Sequence, residues 1–282
     1  MQISIIMLLS IEALLLFATA LAVGVIGNLV GIGGGVLIMV VLLFAFRISP
    51  LIASGMSLVT ILVSAAVGSL LNMRQHAISR QLLYIMALTA GAGVLFGSFL
   101  AYHVSTKPFE ALLGLVSLGI GVFSVLVTRT DVRRLAGLST SFSALSKSER
   151  EHARSCISNR ASISLFAAIA GIIAGLFGIG IGGIMGTYLT AIRKLNPKVV
   201  FSSVLATMIV TSLLGASLHL LSVRSGSGVV VFIVAMVLGA ALGALFGAAA
   251  SSMIRLGSLR FLQGYIIISL GLITLAFSLL NV

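Results

Sequence analysis

Apolar stretches of membrane-spanning length, separated by short polar punctuation, make up most of this chain. Ser4–Val23, Leu51–Leu71, Leu82–Ala101, Ala111–Val127, Val199–Leu221, Val229–Met253 and Phe261–Leu280 are such runs, each near the roughly 20 residues a helix needs to cross a bilayer. A shorter run, Ala161–Phe177, stands among them. None alternates apolar with polar residues, as a strand of a membrane β-barrel must. The pattern predicts an all-α polytopic membrane protein.

The pattern also repeats. Gly24-Val-Ile-Gly-Asn-Leu-Val-Gly31-Ile-Gly33-Gly34-Gly35 aligns with Gly171-Ile-Ile-Ala-Gly-Leu-Phe-Gly178-Ile-Gly180-Ile-Gly182-Gly183 at an offset of 147 residues. The same offset carries Pro50 onto Pro197, Thr60 onto Thr207 and Gly68 onto Gly215. After a slip of three residues, Leu95-Phe96-Gly97 matches Leu245-Phe246-Gly247, and Gly114 matches Gly264. Residues 1–127 therefore form one copy and 161–282 the other, joined by a polar linker at 128–160. Duplications of this kind build many secondary transporters.

Composition agrees with a lipid solvent. Hydrophobic residues make up 60% of the 282 and charged ones 8%, with a mean hydropathy of +1.28. The net charge of +12 does not imply a nucleic-acid partner, because the basic residues sit between spans, as expected of cytoplasmic loops. The amino terminus lacks a basic n-region and a small-residue cleavage site, so its first apolar stretch is expected to stay in the mature protein. A single cysteine, Cys156, excludes an internal disulfide. It reads as an incidental thiol in the linker.

Charge also orients the copies. The linker carries seven Lys or Arg, from Arg129 to Arg160, against Asp131, Glu149 and Glu151, which places it in the cytoplasm. Each copy opens with a helix, the glycine segment and a short apolar stretch, Val36–Phe46 or Ile184–Ile192, about half a crossing in length. If these made one continuous crossing, the copies would be parallel, with ten basic residues inside and seven outside. If each folds back as a hairpin, the copies are inverted, and only Arg47, Lys107 and Arg224 of the seventeen lie outside. The expected fold is thus two inverted repeats, each a glycine-tipped broken-helix hairpin plus three transmembrane helices, with both termini outside.

Irregular backbone at membrane depth is tolerated where protein buries it or where it lines a wet cavity. Two hairpins related by an in-plane twofold would bring Gly31–Gly35 and Gly178–Gly183 together. The helices that follow would aim free N–H groups at the meeting point, an anion site without charged side chains. Candidate binding residues are Gly31, Gly33, Gly34 and Gly35 with Gly178, Gly180, Gly182 and Gly183. Spaced glycines such as Gly93, Gly97, Gly239, Gly243 and Gly247 read instead as close helix packing. The spacing of Gly178, Gly180 and Gly183 mimics a dinucleotide fingerprint, but no strand precedes it.

Downstream of each proline, Ser54, Ser57, Thr60 and Ser64 share one helix face, and Ser203, Thr207 and Thr211 share another. Of these, Ser57, Thr60, Ser203 and Thr207 are candidate ligands through their hydroxyls, or else helix glue. Asn28, beside the first glycines, is a further candidate. Glu12 is the one acid at clear membrane depth, a candidate proton carrier or a solvated glutamate. His76, His103 and His219 fall at span ends and His152 in the linker, so no metal site and no cofactor is expected.

These residues carry a family resemblance. Gly31-Ile-Gly-Gly-Gly35, Pro50, Gly55-Met56-Ser57-Leu58 and the whole-chain duplication resemble the TauE/SafE family of sulfite and organosulfonate exporters. The likeness covers both copies and omits the linker. The second copy departs from it: Ile181 interrupts the glycines, and Phe201-Ser202-Ser203-Val204 replaces the Gly-Thr-Ser-Leu pattern. A proline common after the family's glycine run is missing from both copies. The resemblance implies a cytoplasmic-membrane transporter, not an enzyme, that exports sulfite or an organosulfonate, with a coupling proton as a second partner. A passive anion channel is the alternative. An intramembrane enzyme would need a base or second acid at the depth of its nucleophile, and the spans supply none.

Overall fold

The structure is a computed structural model that describes residues 2–30, 34–73, 78–137, 160–221, 227–250 and 256–280. Its described elements are all helices. In the first copy, α1 spans Gln2–Val30, α2 Gly35–Val40, α3 Pro50–Met73, α4 Arg80–Ala101 and α5 Thr106–Gly137. In the second, α6 spans Arg160–Phe177, α7 Gly182–Thr187, α8 Pro197–Leu221, α9 Ser227–Ala250 and α10 Leu256–Leu280. Seven of these helices are long and apolar enough to cross a membrane, and the chain is a multi-pass membrane protein. Leu14, Leu88, Phe99, Leu165, Phe246 and many other large apolar side chains lie exposed, as a lipid-facing surface requires.

Local chemistry explains the helix boundaries. Pro50 and Pro197 open α3 and α8 at the first helical position, where a missing N–H costs nothing. The Ser79 side chain accepts from the Leu82 N–H and caps α4. α2 and α7 each run on into one π-helical turn, Val41–Ala45 and Tyr188–Ile192. Each π-turn is followed by a basic residue with left-handed backbone, Arg47 at φ 51° and Lys194 at φ 55°. These turns and basic residues are counterparts at the 147-residue offset, so duplication has kept an unusual local geometry in both copies.

Two boundaries differ from the sequence expectation. α1 extends through Gly24 and Gly27 to Val30, so the first break begins only after the helix has absorbed the early glycines. α5 runs past Val127 to Gly137, ten residues into the expected linker, because the end of hydrophobicity ends a span and not a helix. The remaining linker residues, 138–159, with Cys156 and His152, lie outside the described residues.

Helix packing couples the two copies reciprocally. α1 lies along α9, and its counterpart α6 lies along α4. Gly97 packs against the Ile172 backbone, while its counterpart Gly247 packs against Val25, the counterpart of Ile172. Gly93 and Gly243 repeat this arrangement against Ala168 and Leu21. A Cβ on any of these four would sit 2.1–2.4 Å from a backbone oxygen, so they serve close packing, as expected. Gly171 and Gly175 do the same against Ala90 and Val94. They therefore belong to the helix interface rather than to the break.

Counterpart helices also pair with each other. In the α5–α10 pair, Gly114 meets Leu275 and Gly121 meets Ile268, while Gly264 meets Val125. Residue numbers rise on one helix as they fall on the other, so these counterparts are antiparallel. The α3–α8 pair is antiparallel too: Gly55 meets Leu220, Gly215 meets Leu58 and Gly68 meets Leu205. α3 and α8 are the innermost helices, with 61% and 78% of their spans buried against 28% for α1 and α9. Their buried faces hold the hydroxyls and bracket the glycine segments.

Candidate functional site

The described glycines after α1 and after α6 come together. A Cβ on Gly34 would fall 2.2 Å from the Val23 side chain, although eleven residues of continuous helix would separate the two by roughly 16 Å. Gly34 has φ +66°, a backbone that resists side chains. In the second copy, Gly178 (φ +66°) lies on the Ser54 backbone and Gly180 (φ +73°) lies between Ile61 and Met208. Ile61 and Met208 are themselves counterparts at the 147-residue offset. Gly35 packs against the Ile179 backbone, where a Cβ would come 2.4 Å from the carbonyl oxygen. Gly31 and Gly33 lie outside the described residues.

At this meeting point lies a cavity of about 50 Å³. Gly34 and Gly35 line it from the first copy, Gly180 and Gly183 from the second. Counterpart side chains face it in pairs: Leu37 with Ile184, and Ile120 with Leu270. The cavity thus straddles the relation between the copies. Its lining side chains are aliphatic, which leaves the backbone as its polar surface. Leu37 and Ile38 donate to the Gly34 carbonyl, and Met185 donates to the Ile181 carbonyl. The N–H groups ahead of them, on Gly35, Val36, Gly182 and Gly183, have no intrahelical acceptor by the geometry of a helix start.

The candidate hydroxyls lie nearby on α3 and α8 but are engaged elsewhere. Ser57 Oγ donates to the Gly178 carbonyl at 2.7 Å, tying α3 to the second tip. Thr60 Oγ1 donates to the Met56 carbonyl and Thr207 Oγ1 to the Ser203 carbonyl, both at 2.8 Å within their own helices. Ser203 Oγ accepts from the Ser79 N–H at 3.0 Å. Asn28 Nδ2 donates to the Gly24 carbonyl and to Ser64 Oγ, linking α1 to α3, and Gly68 makes room for its Oδ1. Gly182 is buried at the start of α7. Glu12 is half-buried in α1, about 16 Å along the helix from Val23, where the cavity lining begins.

Aromatic contacts brace the second hairpin. Tyr188, at the start of its π-turn, stacks on Phe166 with ring centroids 4.1 Å apart and hydrogen-bonds Ser162. Phe177, at the end of α6, packs edge-on against Phe109 of α5. Sequence reading missed Ile120, Ile184 and Leu270, because an aliphatic residue in an apolar span has no local signature. The duplication could have flagged them as counterpart pairs. His219, expected at a span end, lies in the last turn of α8, where the structure buries it completely.

Similarity to known proteins completes the picture. The family model described as Sulfite exporter TauE/SafE matches residues 16–274, nearly the whole chain. The chain belongs to the TauE/SafE family. This TauE/SafE protein is accordingly a membrane transporter and not an enzyme. It is also similar to the Probable membrane transporter protein YunE of Bacillus subtilis (strain 168), at 22% identity over 269 residues, covering 91% of this chain and 95% of that protein. No solved structure matches it. Among the described residues, no cluster of His, Cys, Asp or Glu could hold a metal ion.

Proposed function

We propose that this TauE/SafE protein is a secondary transporter that exports a small anion, a sulfur oxyanion or organosulfonate, across the cytoplasmic membrane. The observation that carries this reading is the cavity lined by glycines of both copies and by counterpart side chains. A site shared by two related halves can face either side in turn as one half moves against the other. Backbone N–H groups at two helix starts beside an aliphatic cavity favour a small anion over a cation. The description of the family as sulfite exporters supports the same class of substrate.

The antiparallel course of α5 with α10 and of α3 with α8 supports inverted copies, since parallel copies would run counterpart helices in one direction. The basic linker then lies in the cytoplasm and both termini outside. Gly31, Gly33, Gly34, Gly35, Gly178, Gly180, Gly182 and Gly183 form the binding backbone. In the state described above, Ser57, Thr60 and Thr207 hold the surrounding helices, and their hydroxyls reach substrate only by breaking those bonds. Asn28 and Ser203 act at the same level, as ties between elements.

Counterflow in proteoliposomes tests the proposal. Vesicles preloaded with ethanesulfonate, sulfite, phosphate or acetate are presented with labelled ethanesulfonate outside. Saturable uptake driven by internal sulfonate or sulfite, and abolished in Gly180→Val, is the expected result. Conductance without exchange would make the protein a passive channel. Exchange with phosphate or acetate alone would overturn the assignment of substrate.

A further inference from the structure

His219 is a titratable side chain sealed inside the protein, and its contacts lead to the candidate site. Its Nε2 lies 2.9 Å from the Gly175 carbonyl oxygen. A carbonyl can only accept, so Nε2 carries the proton and Nδ1 presents a lone pair. Nδ1 is buried and has no partner among the described residues. A buried acceptor is seldom left unpaired, because the hydrogen bond it gave up with water is then not replaced. Such a group is open to a second occupant, a proton among them.

The bonded carbonyl is equally informative. Gly175 lies in the last turn of α6, three residues before the left-handed Gly178. Its carbonyl also accepts from Ser98 Oγ of α4 at 3.4 Å. His219 therefore holds the end of the helix that carries the second glycine tip. Tyr102 stacks on the imidazole, centroids 6.2 Å apart, and donates its hydroxyl to the Leu218 carbonyl. From α3, Gly55 makes room, since a Cβ there would stand 3.2 Å from that of His219.

Few other charges bear on the ring. α3 carries no ionisable residue. Arg80 of α4, Arg160 of α6 and Lys198 of α8 stand at the far ends of their helices, roughly 20–35 Å along them from the contacts just described. Tyr188, in the π-turn after α7, faces Phe166 instead. His103 follows Tyr102 and packs tilted against Phe99. Arg224, five residues beyond His219, lies outside the described residues.

We propose that His219 is the proton-binding site that couples proton movement to the α6 glycine hairpin. The step is simple in its balance. The Nδ1 lone pair takes one proton from one side of the membrane, the ring becomes an imidazolium of charge +1, and the same proton leaves from Nδ1 on the other side. No other bond forms or breaks covalently. Protonation makes the bond from Nε2–H to the Gly175 carbonyl charge-assisted, about twice as strong as the neutral one, and tightens the hold on the tip. Loss of the proton relaxes it. The proton and the substrate thereby bias one movable element.

This proposal rests on the transport reading above, and its test separates the two. His219→Gln keeps an N–H donor for the Gly175 carbonyl and cannot titrate. Proteoliposomes loaded with a pH-sensitive dye report proton movement, while labelled ethanesulfonate reports exchange. The expected result is a rise of at least tenfold in the ratio of exchange to net proton flux in His219→Gln, with its exchange no longer dependent on pH between 5 and 8. An unchanged ratio and an unchanged pH profile overturn the proton site and leave the transporter standing. A wild-type protein with neither exchange nor proton flux overturns both.

A protein retaining only this histidine, His76→Gln/His103→Gln/His152→Gln, gives a reading that does not depend on His219→Gln folding. Its ¹⁵N-histidine spectrum in liposomes with ethanesulfonate should pass from the Nε2–H form to the imidazolium within pH 5–8. A ring that stays neutral throughout that range overturns the proposal.

Discussion

Gly35→Ala adds one methyl group at the point where the two glycine segments touch. The new Cβ would stand 2.4 Å from the Ile179 carbonyl oxygen, 2.6 Å from its carbon and 2.7 Å from its Cα. Ordinary contact begins near 3.4 Å, so the segments must separate by 3.4 − 2.4, or about 1.0 Å. All three atoms are backbone, so no rotamer change relieves the contact. Gly35 has no positive φ, and alanine suits its backbone, which leaves the contact as the cause. Overpacking of this kind costs about 1–3 kcal/mol, a factor of about 5–150 in any equilibrium that needs the segments together. Gly119→Ala is the matched control, because a Cβ there meets nothing within 4 Å. Heating followed by size-exclusion chromatography should show a lower midpoint for Gly35→Ala than for Gly119→Ala. Sulfonate exchange in liposomes should fall at least fivefold in the first and hold in the second. Gly35→Ala matching Gly119→Ala in both measurements would refute the contact between the segments.

The reciprocal packing predicts that Gly97→Val and Gly247→Val, on counterpart surfaces, lower thermal stability by similar amounts, about 1–3 kcal/mol each. A loss confined to one would contradict the pairing of α4 with α6 and of α1 with α9. Arg47→Gly releases left-handed strain of about 1–2 kcal/mol and forfeits about 0.3–1 kcal/mol of charge at a helix end. A net rise in melting temperature is expected, and a fall would show that this side chain stabilises more than its backbone costs. Ser57→Ala removes the tie between α3 and the Gly178 carbonyl, worth about 0.5–1.5 kcal/mol. It should raise the half-saturating sulfonate concentration for exchange more than it lowers thermal stability, and the opposite pattern would make Ser57 purely structural.

Hydrophobic length and duplication made most of the helices legible in advance, because bilayer thickness imposes both on any spanning helix. The runs at Leu51–Leu71, Leu82–Ala101 and Val199–Leu221 end where α3, α4 and α8 leave their spans. The glycine break was legible at Gly34, Gly178 and Gly180, where positive φ demands glycine. It was not legible at Gly24 and Gly27, which α1 absorbs beyond the expected end at Val23, whereas Gly171 and Gly175 fall inside the expected run Ala161–Phe177. Gly24, Gly171 and Gly175 lie on helices, and only a neighbouring helix explains their missing side chains. The π-turns were hidden as well, since a change of bonding from i→i+4 to i→i+5 leaves no residue signature. Hydroxyls on a common face of α3 gave no sign of which would bond their own backbone. Thr60 does so, and Ser57 reaches another element. The span-end position of His219 was legible and its burial was not, because nearness to a span end says nothing about burial when α4 and α6 close over that end.

Ligand protection at the cavity tests most directly whether the anion binds between the glycine segments. A Cys156→Ser protein carrying Ile184→Cys presents one thiol on the cavity wall. Its rate of modification by N-ethylmaleimide in liposomes would be measured across ethanesulfonate concentrations. Saturable slowing of at least threefold is expected, at the half-saturating concentration found for exchange and without effect on a thiol at lipid-facing Leu88. Equal rates at all sulfonate concentrations, in protein that still exchanges sulfonate, would place the substrate elsewhere.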